Sequence, residues 1–279
     1  MFLKLLLFDI RDGLKVNARK YIISLAILAF FPIVLVLIVD RNRIPYEQSF
    51  ASDPTLGDCL LYSFAGIKPY EYDPRIPFSF PAQWILLILL ILFPSLNYVK
   101  HSMGGIGLQV LTRVKSKFSW WLSKQVWLCL SIVAFYILAI CVILVFGLVF
   151  GCEASFQISE FMSWVVPVTF DIHDVIVFAD YAPHMLVLFP LCMIALAEIQ
   201  LLVSIVFSSI TSFIVIISYL FFSSYFTSPL LIGNYAMFCR SELFIQNGMS
   251  CAYGIMICCI VIFFSALLGW KAIRYKDFF

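Results

Sequence analysis

Glu198 is the acidic residue of this sequence whose position has the clearest chemical meaning. It lies within an otherwise apolar stretch, and Gln200 follows two residues later. A carboxylate inside a membrane span is costly, and it is therefore a functional candidate by default. Three roles fit these residue types: binding a substrate cation, carrying a proton, or bracing neighbouring helices through a hydrogen bond. The residues alone leave all three open.

No metal site is predicted. Asp171, His173 and Asp174 have ligand-like spacing, but a lone group of this kind in a loop is usually solvated polar surface. The nine cysteines show no metal spacing either, and those within apolar stretches are typical apolar filler. A Cys239–Cys251 disulfide has no support beyond a predicted location on the same side of the membrane.

Enzyme motifs are missing from the sequence. It contains no Gly-x-x-x-x-Gly-Lys-Ser/Thr phosphate loop and no dinucleotide fingerprint. A nucleophile elbow and paired catalytic carboxylates are also absent, and no basic face suggests nucleic-acid binding. We therefore predict no catalytic residue, no cofactor on this chain and no nucleic-acid partner.

The composition predicts an all-α integral membrane protein. Of the 279 residues, 63% are hydrophobic and only 12% are charged, whereas about a quarter are charged in a soluble domain. So much apolar side chain exceeds what one water-soluble core can bury, so the bilayer must solvate much of it. We predict a single transmembrane domain over residues 1–279.

Six stretches are long and apolar enough to span a membrane, for which about 20 residues are needed. A tight polar turn at residues 208–212 predicts that the fourth and fifth spans are antiparallel neighbours. Residues 161–178 contain a proline and several polar groups, which favours an interfacial or folded loop. The six predicted spans are Tyr21–Val39, Ala82–Val99, Trp127–Phe150, Met185–Phe207, Ile210–Leu231 and Tyr253–Trp270.

The distribution of basic residues predicts the orientation. With six spans, one side of the membrane carries 13 of the 18 lysines and arginines, while most acidic residues fall on the other side. Basic residues are enriched in cytoplasmic segments. We therefore predict a multi-pass protein of the cell membrane with both termini in the cytoplasm.

Residues 1–20 are predicted to form an amphipathic interfacial helix. Its apolar residues recur at a helical period, and basic residues flank them. Such a helix lies in the membrane plane and anchors the first span, or it grips a partner directly. The apolar residues are Leu3, Leu6, Leu7, Ile10 and Leu14.

The predicted cytoplasmic loop 100–126 carries five basic residues and no acidic one. Its apolar spacing is compatible with a short helix next to a glycine cluster at residues 104–107. Trp120, Trp121 and Lys124 are typical of an interfacial anchor at the start of the third span. An ordinary basic loop with an aromatic belt explains the composition equally well.

The segment 111–124 resembles the loop after the second span in six-span permease subunits of bacterial type-two ABC exporters. In that family an Arg, a Ser-Arg/Lys pair, a Trp-Trp pair and a Lys follow a short coupling helix. The resemblance in sequence rests mainly on about 15 residues, while the predicted architecture fits over the whole chain. The matching positions are Arg113, Ser116, Lys117, Trp120, Trp121 and Lys124.

This resemblance implies a transporter subunit that works with a separate cytoplasmic ABC ATPase, which would hold the ATP and Mg²⁺. A second permease copy or a related chain would complete the transport path through the lipid bilayer. Peptides, antimicrobial compounds and lipid-like molecules are the implied substrates. The ATPase-coupling residues would be Leu108, Val110, Leu111 and Arg113, together with Lys115 and Lys117, which meet either the ATPase or lipid phosphate.

A membrane protein without ATP coupling is the alternative. It would be an immunity or sensor protein that binds a peptide outside, or an ion-coupled carrier. Glu198 favours the carrier, whereas the absence of an internal repeat disfavours it.

Overall fold

A computed structural model describes residues 2–43, 52–72, 75, 77–96, 98, 102, 116–166 and 176–275. Within these ranges the secondary structure is helical, and no β-strand is formed beyond isolated bridges. The prediction of an all-α membrane protein is confirmed at this level. The helices are α1 (Phe2–Leu28), α2 (Phe30–Arg43), α3 (Leu56–Phe64), α4 (Ala82–Leu92), α5 (Lys117–Val149), α6 (Met162–Val165), α7 (Phe178–Pro183), α8 (Phe189–Val206), α9 (Ser209–Tyr225), α10 (Ile232–Tyr235) and α11 (Cys251–Tyr275).

Local sequence signals account for several helix ends. Ser116 caps α5, because its Oγ accepts a hydrogen bond from the Ser119 amide at 3.4 Å. Ser208 caps α9 in the same way, through the Thr211 amide at 3.0 Å. α1 ends at Leu28, just before Pro32, a residue that lacks the amide needed to continue a helical hydrogen-bond ladder.

Four helical segments among the described residues are long and apolar enough to cross a membrane. They are Phe2–Arg43, Lys117–Val149, Phe178–Val206 and Cys251–Tyr275. The predicted second and fifth spans correspond to shorter apolar helices, Ala82–Ser95 and Ser209–Tyr225. At about 1.5 Å per residue these are shorter than the roughly 30 Å hydrocarbon core. The number of six spans therefore stays a prediction.

α8 is the central helix. In the segment Phe178–Val206, which contains α8, 67% of the most apolar stretch of 18 residues is buried. The corresponding stretch of α11 is only 17% buried, so α11 has the more peripheral position. α8 packs against α11, α9 and α5, and only Phe207 and Ser208 separate it from α9. The carboxylate of Glu198 is therefore carried by the helix with the most protein around it.

α1 runs alongside α5 in the same direction. Asp9 contacts Lys124, Gly13 adjoins Trp127, and Tyr21 packs on Phe135. The residue numbers in these contacts increase together, so the two helices are parallel.

α1 continues without a break past residue 20, where we predicted the interfacial helix to end. The predicted position of residues 1–20 in the membrane plane stays a prediction, but this segment is aligned with α5 rather than lying across it.

The side of α1 that packs against the protein is rich in polar and small residues, while several of its leucines point outward. Leu3, Leu7 and Leu14 are 70%, 65% and 56% exposed. Close contacts between membrane helices favour small residues, and leucine suits a lipid-facing surface. The buried positions, spaced mostly four residues apart, are Leu5, Asp9, Gly13, Asn17, Ser24 and Leu28.

α3 begins with a capping box that also ties it to a distant loop. Thr55 Oγ1 accepts from the Asp58 amide at 3.1 Å, and Asp58 Oδ2 accepts from the Thr55 amide at 2.9 Å. Asp58 accepts two further hydrogen bonds, from the amide and the hydroxyl of Ser159, at 2.8 and 2.6 Å. Burial raises the pKa of the Asp58 carboxyl, and these hydrogen bonds act in the opposite direction.

A fully buried arginine organises the opposite end of the bundle from Asp9. The Arg240 guanidinium is 1% exposed and donates to the carbonyl oxygens of Ile67, Ser223 and Ser224 at 2.6–2.9 Å, and to Asn234 Oδ1. Two of these carbonyls belong to the last turn of α9, which carries partial negative charge. Arg240 therefore closes α9 and joins it to the segments around residues 67 and 234.

Replacing Arg240 with Met is expected to lower the free energy of unfolding by about 3 kcal/mol or more, because buried carbonyl oxygens lose their donors. The measurement is an SDS unfolding titration of the detergent-solubilised protein. Arg41→Met is the matched control, since Arg41 is exposed in the last turn of α2. Equal stability of the two variants would contradict the role of Arg240.

Candidate functional site

A buried ion pair joins the N-terminal helix to the start of α5. Lys124 Nζ lies 2.5 Å from Asp9 Oδ1, and the two side chains are only 2% and 3% exposed. Both charges have been removed from solvent, which costs several kcal/mol per ion unless the geometry and the remaining hydrogen bonds compensate. The surroundings of this pair therefore decide whether it is tolerated.

The Asp9 carboxylate is fully engaged by three donors, one just before the loop and two on α5. Ser123 Oγ donates to Oδ2 at 2.5 Å, and the Tyr98 hydroxyl lies 3.2 Å from Oδ1. The same hydroxyl is 3.1 Å from the backbone oxygen of Asp9. Together with Lys124, these contacts place a donor at each carboxylate oxygen, which is the condition for a stable buried carboxylate.

Aromatic rings enclose the ammonium group. Lys124 Nζ lies 4.9 Å from the ring centroid of Tyr98 and 5.2 Å from that of Trp120, which are cation–π distances. The Tyr98 ring in turn packs on Trp127, with centroids 3.8 Å apart. Gly13 makes room for this packing, because a Cβ atom there would lie 2.6 Å from the Trp127 indole nitrogen. We call Asp9, Tyr98, Trp120, Ser123, Lys124 and Trp127 the ion-pair cluster.

The ion-pair cluster holds both ends of the loop that resembles the permease coupling loop. Tyr98 lies just before the predicted loop 100–126, and Ser123 and Lys124 lie near the C-terminal end of that loop, in the first turns of α5. The Ser102 amide also donates to the Tyr98 carbonyl at 2.9 Å. Asp9 thus connects the N-terminal helix to the chain entering the loop and to the chain leaving it.

The start of α5 is also attached to the C-terminal helix. Trp121 Nε1 donates to the Ala266 carbonyl at 3.1 Å, and its ring fills the space over Gly269, where a Cβ would come within 2.5 Å. Phe118 packs edge-on against Trp270. Helices α1, α5 and α11 therefore converge at the same end of the molecule, next to the loop.

The predicted ATPase-coupling residues lie mostly outside the described residues. This applies to Leu108, Val110, Leu111, Arg113 and Lys115. The sixth, Lys117, is exposed at the first position of α5, and its Nζ is 3.4 Å from the Arg274 carbonyl. Contact of these residues with an ATPase stays a prediction.

Trp120, Trp121 and Lys124 were predicted as an interfacial anchor. All three are buried, at 1%, 3% and 2% exposure. Their depth relative to the membrane stays a prediction, but their contacts are with the protein and two of them belong to the ion-pair cluster.

Sequence reasoning missed Asp9, the partner of Lys124. A signal was present: Asp9 and Asn17 interrupt a leucine-rich helix at the four-residue spacing of Gly13. A stripe of small and polar residues on such a helix indicates a packed face, whereas the predicted interfacial helix rested on the apolar residues and the basic residues that flank them.

Glu198 is buried at 1% exposure, and its carboxyl lies beside the Gln125 amide and the Cys129 thiol of α5. Neither Glu198 Oε1 nor Gln125 Nε2 has a partner with hydrogen-bond geometry among the described residues. The same holds for both amide atoms of Gln200. Glu198 and Gln125 form a second polar group inside the bundle, and no hydrogen bond between described residues connects it to the ion-pair cluster.

Metal ligation finds no support in the described part of the chain, which contains no group of three or more His, Cys, Asp or Glu side chains suited to a metal ion. The predicted weak cluster of Asp171, His173 and Asp174 lies outside that part.

Comparison with known proteins gives a family without an activity. A family model described as a protein of unknown function, DUF2705, matches residues 60–279. The chain belongs to the DUF2705 family. No curated protein and no solved structure matches the chain.

The DUF2705 match includes Tyr98, Lys124, Glu198 and Arg240 but begins after Asp9. The ion-pair cluster thus joins the family region to an N-terminal helix that precedes it.

Replacing Asp9 with Asn is expected to lower the free energy of unfolding by about 3 kcal/mol, because the Lys124 charge is left buried without its counter-ion. The double replacement Asp9→Asn with Lys124→Met should recover part of this loss. SDS unfolding titrations measure both, with Lys15→Met as a control that removes an exposed charge of α1. Strictly additive losses in the double variant would show that the pair is not coupled.

Proposed function

We propose that this chain is the six-span membrane subunit of an ATP-driven transporter, with both termini in the cytoplasm. A separate ABC ATPase would dock on the loop around residues 103–115. The basic character of that loop favours an acidic groove on the partner. Because the sequence lacks a phosphate-binding loop, ATP and Mg²⁺ would be held by the partner.

The observation that carries the proposal is the position of the ion-pair cluster at both ends of this loop. A push on the loop would reach α4 through Tyr98 and α5 through Lys124. It would also reach α1 through Asp9 and α11 through Trp121. A rigid, fully hydrogen-bonded anchor of this kind suits a part that transmits force, since a loosely held loop would absorb the movement.

The transport path would lie between this chain and a second permease subunit, either a copy or a related chain. Outward-facing apolar residues on α1, α5, α9 and α11 provide surface for lipid and for that subunit. The acidic outer loops favour a cationic substrate, and a peptide, an antimicrobial compound or a lipid-like molecule is the proposed cargo class.

An ion-coupled carrier is the second candidate, and Glu198 is the observation that favours it. A buried carboxyl next to Gln125, without a basic partner among the described residues, is suited to taking up a proton or a cation. A peptide-binding immunity or sensor protein would likewise need no ATPase.

Purification in mild detergent from native membranes, followed by mass spectrometry, separates these functions. We expect a stoichiometric ATPase subunit with the wild-type chain, and at least a tenfold loss of it with Leu111→Asp or Arg113→Asp. Arg41→Asp is the control, because Arg41 is an exposed basic residue at the end of α2. It should retain the ATPase.

A stable chain purified without any ATPase would contradict the transporter proposal. Retention of transport by the Leu111→Asp and Arg113→Asp variants would show that the coupling loop is misassigned.

A further inference from the structure

The sulfur atoms of two cysteines that are far apart in sequence lie in contact next to the end of α5. Cys59 lies within α3 and Cys152 follows α5, and their Sγ atoms are 3.3 Å apart. Both residues are buried, at 0% and 6% exposure. A disulfide bond is about 2.05 Å long, so the sulfurs need to approach by only about 1.3 Å.

Backbone hydrogen bonds fix the two segments against each other. The Leu56 amide donates to the Glu153 carbonyl at 3.1 Å, and the Glu153 amide donates to the Pro54 carbonyl at 2.8 Å. The Gly57 amide donates to the Ser155 carbonyl at 3.1 Å. Together with the Asp58–Ser159 hydrogen bonds, these contacts fix the start of α3, which carries Cys59, against the segment that carries Cys152.

Little space is left for the thiols to turn away. A Cβ atom at Gly147 would lie 3.2 Å from Cys59 Sγ and 3.7 Å from Cys152 Sγ. The two sulfurs are therefore packed between the α5 backbone and one another. Proximity here is a consequence of the local packing, and each sulfur has the other as its neighbour.

The other cysteines lack the combination of sulfur contact and access to an aqueous oxidant. Cys192 and Cys258 also approach, at 3.6 Å, but they lie within the candidate spans α8 and α11, away from aqueous oxidants. All nine cysteines are free thiols in the structure, and the pairing of Cys239 with Cys251, considered from sequence, corresponds to no sulfur contact between described residues. Cys59 and Cys152 combine proximity with a location outside the candidate spans, in α3 and just after α5.

We propose that Cys59 and Cys152 form an intramolecular disulfide on the outer side of the membrane. The proposal rests on the orientation given under the proposed function. The oxidant would be a disulfide, carried by an extracellular thiol–disulfide oxidoreductase or a small molecule. The Cys152 thiolate attacks the oxidant disulfide and releases one oxidant thiolate. The Cys59 thiolate then attacks the Cys152 sulfur and releases the second.

The reaction balances, since two protein thiols are oxidised to one disulfide while the oxidant disulfide is reduced to two thiols. Its structural effect is to join the start of α3 to the end of α5 by a bond. The loop so closed spans 93 residues and includes the proposed coupling loop. The outer ends of these helices would then move together.

Thiol counting tests the proposal. Membranes are quenched with N-ethylmaleimide, the chain is denatured, and alkylated thiols are counted by intact mass before and after reduction. Of the nine cysteines, we expect seven to be alkylated before reduction and the remaining two only after it. Peptide mass spectrometry should identify a Cys59–Cys152 cross-link.

Variants make the count specific. Cys59→Ser or Cys152→Ser should each give eight thiols alkylated before reduction and none released by it. In the matched control, Cys192→Ser with Cys258→Ser, two thiols should still be released by reduction. Release that persists in Cys59→Ser, or that is lost in the control pair, would overturn the assignment.

A separate measurement distinguishes failure of the disulfide from failure of the orientation. Ala154 is exposed beside Cys152. An Ala154→Cys substitution in a chain with Cys59→Ser and Cys152→Ser should react with a membrane-impermeant maleimide in intact cells. Labelling together with nine free thiols in the wild-type chain would overturn the disulfide alone. Protection of position 154 until the cells are lysed would overturn the orientation on which the proposal rests.

Discussion

Burying a carboxylate and an ammonium among apolar helices is costly, and the end of the molecule at which α1, α5 and α11 meet is organised by the need to satisfy Asp9 and Lys124. Ser123 and Tyr98 supply the remaining donors, and aromatic rings enclose the charge. The ion pair thereby specifies one arrangement of α1 against α5, where leucine-rich surfaces alone would permit several.

The same constraint gives the proposed coupling loop its mechanical meaning. A loop anchored at both ends to three helices passes a displacement to all of them. At the other end of the bundle, Arg240 joins α9 to the segments around residues 67 and 234 through carbonyl oxygens. The bundle between these two polar anchors is held mainly by apolar and small side chains, which slide more readily than charged contacts. Rigid ends with a repackable middle are suited to a transporter.

Sequence patterns predicted the helical class and the positions of the apolar helices, because a run of some 20 apolar residues is typical of a membrane-spanning helix. They did not predict that α1 lies along α5. The sequence predicted the apolar face of residues 1–20. The face that packs against α5 depends on the contact of Asp9 with Lys124, which is 115 residues away in sequence. Nor could they show that Trp121 is inserted over Gly269, or that Cys59 meets Cys152, since long-range pairs leave no local periodicity. Glu198 could be recognised from sequence because a carboxyl group within an apolar stretch is unusual in itself, whatever it contacts elsewhere in the chain.

Site-specific photo-crosslinking at position 111 tests the central claim most directly. A photoreactive amino acid would replace Leu111 in the full-length chain, and native membranes would be irradiated. Leu230, 81% exposed and at the outer end of the predicted fifth span, is the control position. The account predicts an adduct with an ATPase subunit from position 111 and none from position 230. Adducts from position 111 only with lipid, in cells where the chain is functional, would contradict it.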